Sequence, residues 1–210
     1  MSTAIWAIRH TIATHHRDRY LTWFHGTHIP EKLARPGYTW AAHYRAASGG
    51  AEGADAYLAL FGGVNTRVFY DPSPAQLKLK QDDLTREMMA MRVGSSAVIF
   101  GEEWRHGDCG IDAVEAPVIR LTVADVTPGD EKFAAWCAQQ YFPRIAGLQG
   151  FRAVRKLFGS SGSPRHAILE EYESTWTSDE DARAAHDAAD AEVAGEIATV
   201  LYGERLWPES

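Results

Sequence analysis

The chain has 210 residues, of which 45% are hydrophobic and 11% aromatic, so it can build one large domain or two small ones around a buried core. The 28 acidic and 21 basic residues give a net charge of -7, and no run of lysine or arginine occurs, which excludes the usual nucleic-acid and anionic-membrane surfaces. Arg9 and His10 interrupt the first apolar run, so we expect neither a signal peptide nor a membrane helix. Two cysteines, Cys109 and Cys137, lack metal-binding spacing and favour a cytoplasmic protein.

The first half of the chain predicts the element order β-α-β-β-α-β of a ferredoxin-like unit. Alternating or β-branched patterns predict strands at 4–12, 38–46, 56–61 and 95–106. Between the first two strands, Tyr20, Trp23 and Phe24 recur at helical spacing. Before the fourth strand, a capping box at Ser73 opens a second helix. We expect one continuous apolar stripe on that helix, formed by Leu77, Leu84, Met88 and Met91.

The second half repeats the first. A shift of 113 residues superimposes three pairs of motif residues, namely Trp23 on Trp136, Pro30 on Pro143 and Gly37 on Gly150. No gap is needed from the first strand to the third, so the first strands align as Ile5 on Val118 and Ile8 on Leu121. The segment "RHAILEEY" continues as a strand, and "IATVLYGERLW" matches "SAVIFGEEW" at a shift of 102. Ser178 and Asp181 indicate the start of a helix between these segments. The pattern predicts an internal duplication.

The predicted fold class is therefore α+β, with two ferredoxin-like units in tandem at residues 1–107 and 116–210. Each sheet carries helices on one face, so the two bare faces can pack together as an eight-stranded antiparallel barrel. Closing the barrel removes exposed strand edges. We expect such a chain to work as a monomer or a homodimer.

The segment "WFHGTHIPEKLARPGY", followed by "AAHYRA", resembles the pattern of EthD-like and related dimeric α/β-barrel proteins. "WCAQQYFPRIAGLQGFRAVRKL" resembles the same pattern in degraded form, with Tyr141 in place of the histidine. The resemblance covers nearly the whole chain as two copies. It implies a barrel of two facing ferredoxin-like units. The family's members include cofactor-free monooxygenases, lactone isomerases and haem-binding or haem-degrading proteins, so the fold alone does not assign an activity.

Histidines are concentrated in the first half, and their counterparts in the second half are not histidine. His28 matches the histidine of the family pattern and is the first candidate for general acid/base catalysis. His10 and His43 lie on predicted strands and are candidate partners if they face the cavity. Arg9 in the first strand needs an anionic partner, which is either Glu102 or Glu103 or a negatively charged ligand. We therefore predict that His28, His10, His43 and Arg9 are catalytic.

Aromatic side chains at alternating strand positions are candidates for lining an apolar pocket. Trp40 and Tyr44 share one face of the second strand, and Trp104 shares a face of the fourth strand with Glu102. We predict that Trp40, Tyr44, Trp104 and Glu102 bind substrate. Packing beneath helices is the competing interpretation of the aromatic residues.

No nucleotide-binding loop, serine-hydrolase elbow or HExxH motif occurs, so we predict no nucleotide cofactor and no metal site. Haem stays open, because a single axial histidine is enough to hold it. The sequence favours a cofactor-independent isomerase, lyase or monooxygenase that acts on an apolar aromatic or lactone-like carbonyl compound in a barrel pocket. A non-catalytic ligand-binding barrel and a haem-binding barrel are the alternatives.

Overall fold

The computed structural model describes residues 3–47, 50, 52–107, 113–125, 130–174, 184, 186–188 and 197–209. The order β-α-β-β-α-β runs through the first unit and recurs in the second, where residues 186–188 are helical between the third and fourth strands. The strands are β1 (Ala4–Ala13), β2 (Tyr38–Ala46), β3 (Ala54–Gly63), β4 (Arg92–Gly107), β5 (Val118–Ala124), β6 (Phe151–Ser161), β7 (His166–Tyr172) and β8 (Ile197–Trp207). The predicted helix start at Ser178 lies outside the described residues.

The helices are short and come in pairs. They are α1 (Arg17–Trp23), α2 (Ile29–Leu33), α3 (Pro74–Leu79), α4 (Asp83–Ala90), α5 (Asp130–Trp136) and α6 (Phe142–Ile145). A π-helical turn, Phe24–His28, joins α1 to α2, and a second one, Cys137–Tyr141, joins α5 to α6. Pro30 and Pro143 follow these turns. Because proline has no N–H to donate and its ring crowds the preceding turn, regular α-helical hydrogen bonding cannot continue through either segment. None of the described helices has the length and hydrophobicity of a membrane span.

The eight strands form one closed antiparallel barrel in the order β1-β3-β2-β8-β5-β7-β6-β4. Each unit contributes four neighbouring strands, and the units meet where β2 pairs with β8 and where β4 pairs with β6. This arrangement confirms the predicted fold class of two ferredoxin-like units packed into an eight-stranded barrel.

Side chains alternate across the barrel wall, because successive residues of a strand point to opposite faces. The inner face carries a cluster that includes Ile5, Leu58, Phe100, Ile119 and Leu201. The outer face packs beneath the helices in two separate clusters, one in each unit. The wall therefore separates three spaces, namely the barrel interior and one helix–sheet layer in each unit.

The duplication is visible in the backbone, but the gapless alignment is wrong in the first strand. The two π-helical turns stand at equivalent positions, and Gly37 and Gly150 both adopt positive φ angles after them. Ile5, however, faces the barrel interior, whereas Val118 packs in an outward cluster with Tyr172. Ile119 is the inward-facing residue of β5. The strand must therefore be shifted by an odd number of residues, since only such a shift restores the inward and outward alternation. The unit boundaries at 107 and 116 stay a prediction.

The predicted second helix is two helices. The capping box at Ser73 is confirmed and begins α3, but that helix ends at Leu79. The Asp82 carboxylate accepts a hydrogen bond from the Thr85 backbone N–H at 2.7 Å and begins α4. Leu84 is exposed as a result, so the expected continuous stripe is interrupted.

One end of the barrel is closed by the linker between the units. Val114 and Ala116 are buried in the inner cluster. The Tyr44 hydroxyl donates to the Ala116 carbonyl oxygen at 2.9 Å, and Arg155 donates to the Ala113 carbonyl oxygen at 3.2 Å. These contacts fix the linker across the barrel.

Candidate functional site

The barrel wall divides the predicted site residues between two faces, so they do not form one pocket. Arg9, Trp40 and Tyr44 point into the barrel. His10 and His43 lie on the outer face, beneath α1 and its π-helical turn. The expectation that these histidines face the barrel cavity is therefore corrected. Strand alternation sets both alongside the outward neighbours Ile8 and Ala41.

Trp104 also leaves its expected face. The pairing of β4 with β6 shifts register between Glu102 and Trp104. This irregularity turns Trp104 outward, where its ring lies 6.3 Å from that of Phe142 and 5.8 Å from Lys156 Nζ. Trp104 and Glu102 therefore do not share a pocket wall, and the prediction that they do is wrong.

The remaining predicted binding residues fill the closed end of the barrel. Trp40 packs so closely on Gly62 that a side chain there would collide with its indole ring. Tyr44 is held by its hydrogen bond to the linker. The Glu102 carboxylate accepts a hydrogen bond from Arg155 at 3.0 Å and another from Arg105. Arg155 also donates to Glu171 at 3.0 Å. This chain of ion pairs leaves the open barrel space at the opposite end, beside Arg9.

A layer of histidine and aromatic rings lies between the N-terminal sheet and α1. The Tyr20 hydroxyl is 3.1 Å from His10 Nε2, and Arg92 Nε donates to the same hydroxyl at 2.6 Å. His25 Nε2 and His43 Nδ1 are hydrogen-bonded at 2.9 Å. The rings of His10 and His43 stack with their planes 5° apart. Hydrogen bonds and ring contacts thus link these five residues into one layer.

This layer is electrically neutral near pH 7 apart from Arg92. Burial, reinforced by Arg92, lowers the pKa of His10 well below its ordinary value, and burial with the neighbouring histidines does the same for His43. Burial also lowers the pKa of His25 and raises that of Tyr20 to about 12. A neutral imidazole that is so hard to protonate is a weak base, so His10 and His43 are better suited to shaping the site than to carrying protons.

The helix pocket opens on the other side of the same helical segment. We define it by His28, Glu31, Lys32 and Arg35 on one wall and by Leu77, Lys80, Gln81, Asp82 and Thr85 of the α3–α4 segment on the other. Its volume is about 260 Å³, which is enough for a small organic molecule. His28, the first candidate from the sequence, therefore does line a pocket, but one that lies outside the barrel.

Lys32 is the most unusual residue of the helix pocket. Its side chain is buried, and Nζ lies 5.1 Å from the centre of the Trp6 ring. Burial, together with the charges of Arg35 and Arg92, lowers the pKa of Lys32 from 10.5 to about 7. Half of the Lys32 amines are therefore uncharged near neutral pH. A lysine in this state can take up and release a proton at physiological pH.

The surroundings of Lys32 are rich in unsatisfied donors. Within the described part of the chain, His28 Nδ1, Arg35 Nη1 and Arg92 Nη2 are buried without a hydrogen-bond partner. Burial, together with the charges of Lys32 and Arg92, lowers the pKa of His28 to about 2, so its ring is neutral. Buried donors without partners cost free energy unless water or a ligand satisfies them. An anionic or carbonyl ligand is the chemical complement of this set.

The sequence analysis missed Lys32, Arg35 and Arg92. Spacings of three and four residues put His28, Lys32 and Arg35 on one helical face, and this signal was present in the sequence. The burial of that face could not be read from it. Arg92 enters the site from the start of β4, which only the tertiary fold brings beside Tyr20.

The same layer of the second unit is filled by a closed polar network. Tyr141 stands where His28 stands in the first unit, at the end of the π-helical turn. Its hydroxyl donates to Glu170 at 2.7 Å and accepts from Arg120 at 2.9 Å. Arg120 and Glu170 form an ion pair at 2.8 Å, and Tyr172 donates to the same carboxylate at 2.7 Å. Tyr141, Glu170 and Tyr172 occupy the layer, with His186 bonded to both tyrosines.

Haem does not fit the described residues. In the first unit, the His28 ring lies 4.7 Å from Trp23 and 5.4 Å from Phe24, and the layer above the sheet is filled by stacked rings. In the second unit, the Arg120–Glu170 network fills the equivalent layer. Neither layer leaves a slot of porphyrin size beside a histidine among these residues. The described ranges also contain no group of three metal-ligating side chains.

Comparisons with known proteins agree on the fold and diverge on activity. No protein-family model matches the chain, and no curated protein matches its sequence. Among solved structures, a monooxygenase candidate from Lactobacillus acidophilus NCFM aligns with a TM-score of 0.58, 16% identity and coverage of 97% of this chain and 94% of that one. A haem-binding protein from Thermus thermophilus aligns with a TM-score of 0.55, 10% identity and coverage of 98% and 91%. A mutant chlorite dismutase from Candidatus Nitrospira defluvii gives 0.55, 10%, 97% and 91%.

At such low identity these similarities show the fold alone. They confirm the dimeric α/β-barrel resemblance predicted from the sequence, with both units contained in one chain. What the chain does must be argued from its own residues.

Proposed function

On the dimeric α/β-barrel fold and the geometry of the helix pocket, we propose that this protein is a cofactor-independent enzyme that moves a proton on a small carbonyl compound. Lys32 is the acid/base group. The observation that carries the proposal is a buried lysine whose pKa is lowered to about 7 and which lines a pocket of about 260 Å³. The best pKa for a general base lies near the working pH, and Lys32 meets this condition where the buried histidines do not.

The reaction begins with a carbonyl compound bound between α2 and the α3–α4 segment. The uncharged Lys32 amine accepts a proton from the carbon next to the carbonyl group, which leaves a negatively charged enolate. Arg35 and the neutral His28 ring supply donors for the enolate oxygen, and Arg92 adds positive charge from behind. Preorganised donors of this kind stabilise developing charge without reorganising during the reaction.

The enolate is the branch point for the reaction classes predicted from the sequence. Returning the proton to another atom gives isomerisation, and expelling a leaving group gives lyase chemistry. The enolate is also the electron-rich species that oxygen attacks in cofactor-free oxygenation. The aromatic floor of Trp6, Trp23 and Phe24 beside the helix pocket supports an aromatic or lactone-like substrate. Arg9 lies on the other face of the wall and is not part of this step.

Proton exchange with solvent tests the proposal even while the reaction product is unknown. The protein is incubated in D2O with a panel of 2-oxo acids, aryl ketones and lactones that carry an acidic C–H bond next to the carbonyl group. Proton NMR then measures the loss of that C–H signal. We expect exchange of at least one panel member, with kcat/KM rising through pH 7 as Lys32 loses its proton.

Three variants assign the activity to Lys32. Lys32→Met removes the amine and should lower the exchange rate at least 100-fold, since a positioned base contributes about that much. Lys80→Met, which removes an exposed lysine of the same pocket, should leave the rate within about threefold, since screened surface charges act weakly. His28→Gln keeps one donor and should reduce the rate less than Lys32→Met does. An exchange rate that is the same in wild type and Lys32→Met rules out the proposal.

A further inference from the structure

The open end of the barrel holds a second cavity, which lies on the opposite face of the wall from the helix pocket. The barrel-mouth cavity has a volume of about 90 Å³. Ala7, Leu58, Val98 and Leu121 form its apolar wall, and Arg9 provides its charged group. A water molecule needs about 10–15 Å³ by a comparable measure, so the space holds a short organic chain but not a large ring system.

Among the described residues, Arg9 is the only cation that lines this cavity, and it is uncompensated. It is half-buried, and its strand neighbours are Leu58 on β3 and Ser96 on β4. Within the described ranges it has no hydrogen-bond or ion-pair partner. Arg155, the inward-facing arginine at the closed end, has both Glu171 and Glu102 as partners. The contrast shows that this barrel otherwise neutralises the arginine that it buries.

The acidic residue nearest in sequence to the cavity wall is already engaged. Asp125 follows Val123, which lines the cavity. Its carboxylate accepts hydrogen bonds from the Ser163 hydroxyl at 2.7 Å and from the Arg165 backbone N–H at 2.8 Å. These bonds hold the pKa of Asp125 below its usual range and fix the carboxylate against the β6–β7 turn. The anion that complements Arg9 is therefore expected to come from outside the chain.

We propose that the barrel mouth is a binding site for a short apolar monocarboxylate, such as valerate. The hydrocarbon tail enters the cavity between Ala7 and Leu121, and the carboxylate meets the Arg9 guanidinium. Arginine forms two parallel hydrogen bonds with a carboxylate, which fits the planar head group. Burying the tail adds about 0.8 kcal/mol per CH₂ group. The site is separate from the helix pocket and does not depend on the proton-transfer function.

Methyl NMR tests this site directly. Valerate is titrated into the wild type while the methyl signals of Ala7, Val98 and Leu121 are followed. We expect saturable shifts with a Kd in the millimolar range, roughly tenfold weaker binding of acetate, and no binding of 1-pentanol, because acetate lacks the tail and pentanol lacks the charge.

Variants separate the two halves of the site. Arg9→Met should weaken valerate binding at least tenfold, while Arg45→Met, an exposed arginine on β2, should not change it. Ala7→Leu fills the cavity and should also weaken valerate binding, with thermal unfolding used to check that the variant is folded. Lys32→Met should bind valerate like the wild type, which distinguishes this site from the helix pocket. Absence of methyl shifts in the wild type, equal affinity for acetate and valerate, or unchanged binding in Arg9→Met would each overturn the proposal.

Discussion

At the residue scale, the environment of a titratable side chain outweighs its identity. The first unit contains histidines at three positions that suggested acid/base catalysis, yet burial lowers the pKa values of His10, His43 and His28 and keeps them neutral. The same burial brings Lys32, an ordinary surface residue type, into the range where a base is useful. Desolvation disfavours the charged form of both residue types, so the group that starts with the higher pKa ends near neutrality.

The shifted pKa of Lys32 also predicts how stability depends on pH. Between pH 7 and 10.5 the unfolded chain keeps the Lys32 proton while the folded chain has lost it. The free energy of unfolding should therefore rise with pH in this window, by up to about 1.4 kcal/mol per pH unit. Lys32→Met lacks this contribution. Its stability advantage over the wild type should be greatest at pH 7 and below, and should shrink as the pH approaches 10.

Urea unfolding of both proteins at pH 7, 8 and 9 measures the difference. Lys80→Met serves as the control, because Lys80 is exposed and its removal should leave the wild-type slope intact. If the curves of free energy against pH for wild type and Lys32→Met are parallel, Lys32 does not titrate in this range.

At the element scale, one helical segment is used in two ways. Both units place a π-helical turn followed by proline over the outer face of their sheet. The first unit ends this turn with His28, beside an open pocket, and the second ends it with Tyr141, inside a completed network. The duplication thus keeps the backbone and changes what fills the layer beneath it. This difference favours the first unit as the site of chemistry and the second as a source of stability.

The network of the second unit should be sensitive to the loss of one charge. Burial raises the pKa of Glu170, but Arg120, His186 and the hydroxyls of Tyr141 and Tyr172 outweigh it, so the pKa lies below its ordinary value. Glu170→Gln leaves Arg120 buried without its counter-charge and should lower the free energy of unfolding by about 3–5 kcal/mol.

Chemical denaturation at pH 7 provides the measurement for Glu170→Gln. Glu173→Gln, three residues further and exposed, should change the stability by less than about 0.5 kcal/mol. A loss of similar size in both variants would show that the buried ion pair is not the cause. Proton exchange at the helix pocket should survive in Glu170→Gln at temperatures where the variant is folded.

At the scale of the whole molecule, closing the barrel creates separate compartments. The linker and the chain of ion pairs from Arg105 to Glu171 close one end of the interior, and the open end keeps the cavity at Arg9. The two helix–sheet layers lie outside the wall and differ in content. Only a small ligand fits any of these spaces in the described part of the chain, which distinguishes this barrel from a haem protein.

Haem titration tests that conclusion. Adding hemin in steps to the purified protein should give a spectrum equal to the sum of free hemin and protein, because no layer in the described ranges has space for a porphyrin next to His28. The His28→Ala variant should behave identically. A Soret band that saturates at one equivalent in the wild type and disappears in His28→Ala would place haem in the helix pocket and contradict the conclusion.

The sequence by itself determined the element order, the duplication and the closed barrel, since these depend on hydrophobic periodicity and on turn residues such as Gly37 and Pro30. It also identified His28 as a pocket residue and Arg9 as an arginine in need of a partner. Only the tertiary structure decided which face each strand residue occupies, because a single irregularity, as at Trp104, reverses the alternation. It alone decided the burial of Lys32, because that depends on helices distant in sequence packing over the same side chain and removing it from water.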